Sequence, residues 1–64
     1  MHYIFYKTTD VFLAEERLNQ CGILTSIVPT PVQDKAYCGV CVYTDNQDYK
    51  LVSEALSGME YHTV

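Results

Sequence analysis

Apolar and polar positions alternate in blocks along the 64-residue chain, and the blocks predict six short elements. "HYIFYK" (residues 2–7) is rich in aromatic and β-branched residues and stops at the polar "TTD", which reads as a first strand. Val11, Ala14, Leu18 and Cys21 then recur at helical spacing, while Glu15, Glu16, Arg17, Asn19 and Gln20 stay polar. Thr8, Thr9 and Asp10 offer three alternative N-caps for that helix, and Gly22 its C-terminal stop. "ILTSIV" (23–28) predicts a second strand, ended by "PTP", because Pro29 and Pro31 lack the donors that an interior strand needs. "VQDKA" is a polar connection, and "YCGVCVY" (37–43) a third strand. A second helix follows, with Asp45 as cap, Asp48 in its first turn, Tyr49, Val52 and Leu56 along one face and Gly58 at its end. "MEYHTV" closes the chain as a fourth strand.

The order βαββαβ closes most simply as an α+β, ferredoxin-like sandwich: a four-stranded antiparallel sheet with two helices on one face, in a single domain over residues 1–64. In that topology the third strand lies between the first two and antiparallel to them. Its beginning then falls beside the end of the first strand and the start of the first helix, so Cys38 is expected near Lys7 and the "TTD" segment.

Length and charge narrow the function. A domain of this size buries only about 60% of the surface its unfolded chain exposes, so a partner or self-association, including a homodimer, would help it. The composition is 48% apolar, with six tyrosines and two phenylalanines, which is that of a globular chain. No stretch approaches the ~20 apolar residues of a membrane helix, and "MHYIFYK" lacks the basic region of a secretion signal, so a cytoplasmic protein without a membrane partner is expected. The net charge is −4, and Lys7, Arg17, Lys35 and Lys50 are scattered, which argues against nucleic acid as a partner.

Three cysteines, an odd number, argue against a closed disulfide framework. Cys38 and Cys41 sit three positions apart, and on one extended strand they point to opposite faces, too far apart for a disulfide unless Gly39 makes a bulge. A thioredoxin-like pair is disfavoured for the same reason. So is a metal site, although Cys21, Cys38, Cys41, His2 and His62 supply enough ligand atoms in principle, and none is assigned.

Parity puts Cys38 on one face with Val40 and Val42, and Cys41 on the other with Tyr37 and Tyr43. The aliphatic set is the better candidate for the helix-covered face. Cys38 is then expected at the rim of the core, under a helix N-terminus, where backbone donors and the helix dipole lower a thiol pKa. The competing reading is that Cys38 is a small buried hydrophobe, and for Cys21, on the apolar helix stripe, that reading is stronger still. Tyr3, Phe5 or Tyr6, Tyr37, Tyr43 and Tyr61 exceed what one small core covers, so an aromatic open sheet face suited to docking is a second functional reading. Neither histidine is placed by spacing to act as base on Cys38, Glu15 and Glu16 read as a solvated helix face, and no phosphate loop is present.

The run "YIFYKTTDVFLAEERLNQCGI", followed by "IVPTP", a polar gap and "CGVCV", resembles the small family of bacterial selenium/sulfur carrier-like domains over nearly the whole chain. The resemblance implies a carrier rather than a turnover enzyme, with no cofactor. Cys38, the cysteine of the "CG" pair, would hold sulfur or selenium as a persulfide or selenosulfide. Gly39 is the second member of that pair, and Pro29 and Pro31 fall in the preceding loop, where they would shape access. From the expected position of Cys38, Lys7, Thr8 and Thr9 are the candidates to stabilise the thiolate; Cys41 is an additional thiol, a candidate auxiliary without an assigned role; and the partners implied are sulfur- or selenium-donating and accepting enzymes.

Overall fold

The computed structural model describes residues 1–32, 34–45 and 49–64. The elements are β1 (His2–Ile4), α1 (Thr8–Gln20), β2 (Ser26–Pro29), β3 (Val40–Tyr43), α2 (Tyr49–Ala55) and β4 (His62–Thr63). The fold is α+β, as the alternation predicts: one four-stranded sheet in the order β2-β3-β1-β4, antiparallel at every pairing. The third strand is inserted between the first two, with Tyr3 opposite Val42 and Val42 opposite Ile27. Among the described residues no helix is long and apolar enough to cross a membrane.

The two faces of the sheet separate by parity. Tyr3, Phe5 and Val42 join Val11, Ala14 and Leu18 of α1 and Val52 and Leu56 of the second helical segment in one core, with Val40, Cys38 and Tyr61 packed at its margin. Both helices therefore cover one face. Ile4 and Cys41 are also fully buried, on the opposite face, where they are neighbours across β1 and β3. Two groups of rings flank them along the strands: His2 against Tyr43 at 4.9 Å, and a triangle of Tyr6, Tyr37 and His62 with centroids 5.4 to 5.9 Å apart. The excess of aromatics is thus divided, with Tyr3 and Phe5 in the core and the others largely stacked on one another. Tyr6 also bonds to His62 Nε2 through its hydroxyl at 2.8 Å.

Several boundaries differ from the sequence expectation, each for a physical reason. Residues 23–25 are not strand, because α1 ends in a Schellman motif. Gly22 takes φ +77°, its N–H donates to the Asn19 carbonyl at 3.0 Å, and the Ile23 N–H donates to the Leu18 carbonyl at 3.0 Å. Ile23 is consequently a core residue set against Leu18, while Leu24 is 90% exposed. Pro29 does not stop the strand but belongs to it, opposite Val40. That is tolerated because β2 is an edge strand and needs no outward donor there. Beyond it the Thr30 N–H still donates to the Gly39 carbonyl at 3.0 Å.

β1 and β3 are shorter than predicted. The Cys38 N–H nevertheless bonds to the Phe5 carbonyl at 2.9 Å, so the two chains stay paired past the ends of their regular ladder. Cys21 does not continue the buried stripe of α1; it is the C-cap and is exposed. Tyr49 is 47% exposed instead of core, although Val52 and Leu56 are buried as their spacing predicts. Asp45 accepts a hydrogen bond from the Tyr43 hydroxyl, and its expected role as a helix cap, with Asp48 in the first turn, lies outside the described residues.

Candidate functional site

The site forms where β1 runs into α1. Neither Thr8, Thr9 nor Asp10 caps that helix: the N-cap position is Lys7, in extended backbone, with no side-chain cap bond. Its carbonyl instead accepts the N–H groups of Asp10 at 3.1 Å and Val11 at 3.3 Å. The Thr8 hydroxyl is therefore free of capping, and it lies 3.2 Å from Cys38 Sγ. This is the juxtaposition that the inserted third strand predicts. The pairing of Cys38 with Phe5 brings the cysteine to the last residue before the turn into α1.

Cys38 is half-buried, with its thiol pKa lowered by hydrogen bonds. The Thr8 hydroxyl is the largest cause, the Val40 N–H is next and the Gly39 N–H adds to it, while partial burial opposes them. Three donors around one sulfur favour the thiolate, the nucleophilic form. Cys41 is the contrary case. It is fully buried, and burial pushes its thiol up, reinforced by the nearby Cys38 charge and partly offset by the Thr30 hydroxyl. Its Sγ lies 3.9 Å from the Pro29 carbonyl oxygen. The one-three-five parity of the strand thus yields two thiols with opposite properties from one short segment.

The other residues singled out from sequence are distributed around this centre. Lys7 lines a groove of about 530 Å³ beside α1, together with Tyr6, Asp10, Leu13, Arg17 and Met59. Thr9 is exposed in the first turn of α1, and Pro31 is exposed just past β2. Gly39 is exposed, and a Cβ built there would meet nothing within 4 Å. It is not among the glycines with positive φ, so neither packing nor backbone conformation explains it. What it leaves is open space at the position a side chain would take. His2 and His62 belong to the ring groups on the face opposite the core, and among the described residues no group of three or more His, Cys, Asp or Glu side chains could hold a metal ion.

Thr30 was not among the residues singled out, yet its hydroxyl donates to the Cys38 carbonyl at 2.6 Å. The signal that could have found it is a β-branched hydroxyl residue fixed between two prolines, since Pro31 also restricts the residue before it to extended backbone.

Compared with known proteins, residues 3–63 match the family described as "Putative Se/S carrier protein-like", which spans nearly the whole chain, and the chain belongs to that family. No curated protein and no solved structure matches it.

Proposed function

We propose that this member of the Se/S carrier-like family holds its cargo on Cys38, as a persulfide or selenosulfide. The observation that supports the reading most is the set of donors around Cys38 Sγ, namely the Thr8 hydroxyl and the N–H groups of Val40 and Gly39, on a cysteine that remains partly exposed. A carrier needs one accessible thiolate and a surface on which two enzymes can dock in turn.

The transfer balances without a redox partner. The Cys38 thiolate attacks the outer sulfur of a donor enzyme's persulfide, the S–S bond of the donor breaks, and its cysteine leaves as a thiolate. Cys38 then carries S–SH, with the persulfide proton retained on the terminal sulfur. Delivery reverses the roles: a nucleophile of the acceptor takes the terminal sulfur and the Cys38 thiolate is the leaving group. The same donors that stabilise the attacking thiolate stabilise the departing one, and a low leaving-group pKa speeds that step. For selenium the terminal atom is SeH and the bookkeeping is unchanged. The partial exposure of Cys38 leaves a partner's cysteine room to approach.

The test is loading from a persulfidated donor, with mass spectrometry locating the added sulfur. The wild-type chain and a Cys21→Ser variant should gain one sulfur, on Cys38, and Cys38→Ser should gain none. Loading that persists in Cys38→Ser would refute the proposal.

A further inference from the structure

We propose that Thr30 is the positioning residue of the Cys38 site: it fixes two successive peptide units so that the N–H groups of Gly39 and Val40 converge on Cys38 Sγ. Thr30 uses both of its donors on this segment, the hydroxyl on the Cys38 carbonyl at 2.6 Å and the backbone N–H on the Gly39 carbonyl at 3.0 Å. The chain contains no cis peptide bond among the described residues, and in a trans peptide the C=O and the following N–H point in opposite directions. A Cys38 carbonyl held towards Thr30 therefore turns the Gly39 N–H away from Thr30, and a Gly39 carbonyl held the same way turns the Val40 N–H with it. Those are the two backbone groups that bond to the Cys38 sulfur. Successive N–H groups directed at one point form a nest for an anion.

The "PTP" segment acquires a purpose from this geometry. Pro29 has its φ fixed by its ring, Pro31 restricts Thr30 to extended backbone, and β-branching stiffens the Thr30 χ1. A hydroxyl presented this way loses little freedom when it binds the Cys38 carbonyl. β2 is an edge strand, so the two prolines do not interrupt any outer ladder. Thr30 touches neither the Cys38 sulfur nor the space above Gly39 in this account; it acts through the backbone.

Among the described residues, three titratable groups bear on the Cys38 segment. Cys41 lies on the far face of β3 and also bonds to Thr30, Tyr37 precedes Cys38 in the chain, and Lys7 stands ahead of α1. Only residue-resolved readouts therefore separate the nest from its neighbours.

The importance of Thr30 for sulfur transfer rests on the carrier reading, whereas its effect on Cys38 does not. The experiment measures the pH profile of iodoacetamide alkylation at Cys38, peptide by peptide, in the wild type, Thr30→Val and Thr30→Ser. Thr30→Val, which keeps the backbone N–H on the Gly39 carbonyl, should lower the thiolate fraction of Cys38 at neutral pH about twofold, less than loss of the direct Thr8 bond, and Thr30→Ser should restore most of it. A folded Thr30→Val with the wild-type profile overturns the inference. In the wild type itself, the amide protons of Gly39 and Val40 should shift by NMR as Cys38 ionises and stay fixed in Cys38→Ser. Amide protons that ignore the titration overturn it without any Thr30 variant. Persulfide loading of the wild type separates the two claims. A wild type that never loads, beside a Thr30→Val profile that moves, sinks the carrier reading and keeps Thr30. A wild type that loads, beside an unmoved profile, does the opposite.

Discussion

Among the described residues Thr8 is the one side chain that donates to Cys38 Sγ, and replacing it by valine removes that bond while keeping the shape of the residue. The hydroxyl lies 3.2 Å from the sulfur and caps nothing, since Lys7 occupies the N-cap position without a side-chain bond. A hydrogen bond to a charged group is worth about 1.5–3 kcal/mol, and at this exposed position water takes over part of the role, leaving about 1 kcal/mol. That corresponds to about a fivefold loss of thiolate at neutral pH. The nucleophilicity of a thiolate rises with its pKa, with a Brønsted slope of about 0.4–0.5, so the remaining thiolate reacts about twofold faster. The expected profile therefore crosses that of the wild type: alkylation of Cys38 about two- to threefold slower at neutral pH and about twofold faster at the alkaline plateau. Thermal unfolding should move little, because a surface substitution away from a cap or core costs within about 0.5 kcal/mol. Slowing by one constant factor at every pH would mean a steric effect, and no change at neutral pH would mean that the hydroxyl does not stabilise the thiolate. Either result refutes the reasoning.

Two further outcomes follow from the fold. Gly22→Ala should destabilise by about 1–2 kcal/mol, all of it from forcing φ +77° on a residue with a Cβ, because the space around that Cβ is open; for a domain of this size, calorimetry should show a fall in Tm of about 4–8 °C per kcal/mol. Cys41 should make the protein less stable as pH rises past the ordinary thiol range: its pKa is raised by burial, so the unfolded chain loses this proton before the native one and binds fewer protons, and stability falls. Cys38 has the opposite sign: its contribution builds as pH rises from its lowered native pKa, is fully present above the unfolded value of ~8.5, and is lost as pH falls through the native pKa. Denaturant titrations between about pH 8 and 9, below the ordinary tyrosine value of about 10, read the Cys41 effect before the raised hydroxyls of Tyr3, Tyr43 and Tyr49 add a decline of the same sign. There Cys41→Ala should flatten the decline, and an undiminished slope in that variant would assign it elsewhere.

The elements that carry the site were legible because two periodicities were strong. The apolar stripe of Val11, Ala14 and Leu18 marks one face of α1, and the alternation around Val40 and Val42 assigns Cys38 and Cys41 to opposite faces. Insertion of the third strand then followed from the order of the elements, and with it the proximity of Cys38 to the start of α1. What could not be read lies in hydrogen bonds whose partners are distant in sequence. Thr8 has a composition that fits capping, and only the extended backbone at Lys7 diverts its hydroxyl to sulfur. Thr30 looks like loop material, because nothing local shows that the carbonyls it binds belong to Cys38 and Gly39. Cys21 failed for a different reason: a helical stripe extrapolated by one turn passes the point where Gly22 ends the helix and turns the chain away.

The opposed thiols bear on why a carrier would tolerate a second cysteine so close to its first. On the proposed function, a persulfide on Cys38 would be vulnerable to any nearby thiolate, which would attack the inner sulfur, expel hydrosulfide and leave a disulfide in place of the cargo. Cys41 meets neither condition for that reaction. Its burial holds it in the thiol form, and the strand directs it to the face where Ile4 is also enclosed, whereas Cys38 packs at the margin of the opposite, helix-covered face. A thiolate on Cys38 raises the Cys41 pKa further, so the two thiols do not ionise together. The separation is not strand register alone: Cys38 precedes β3, and the Cys38 and Gly39 carbonyls both turn to Thr30 where a regular strand would alternate them, so the bend at Gly39 sets the direction of Cys38 while β3 sets that of Cys41.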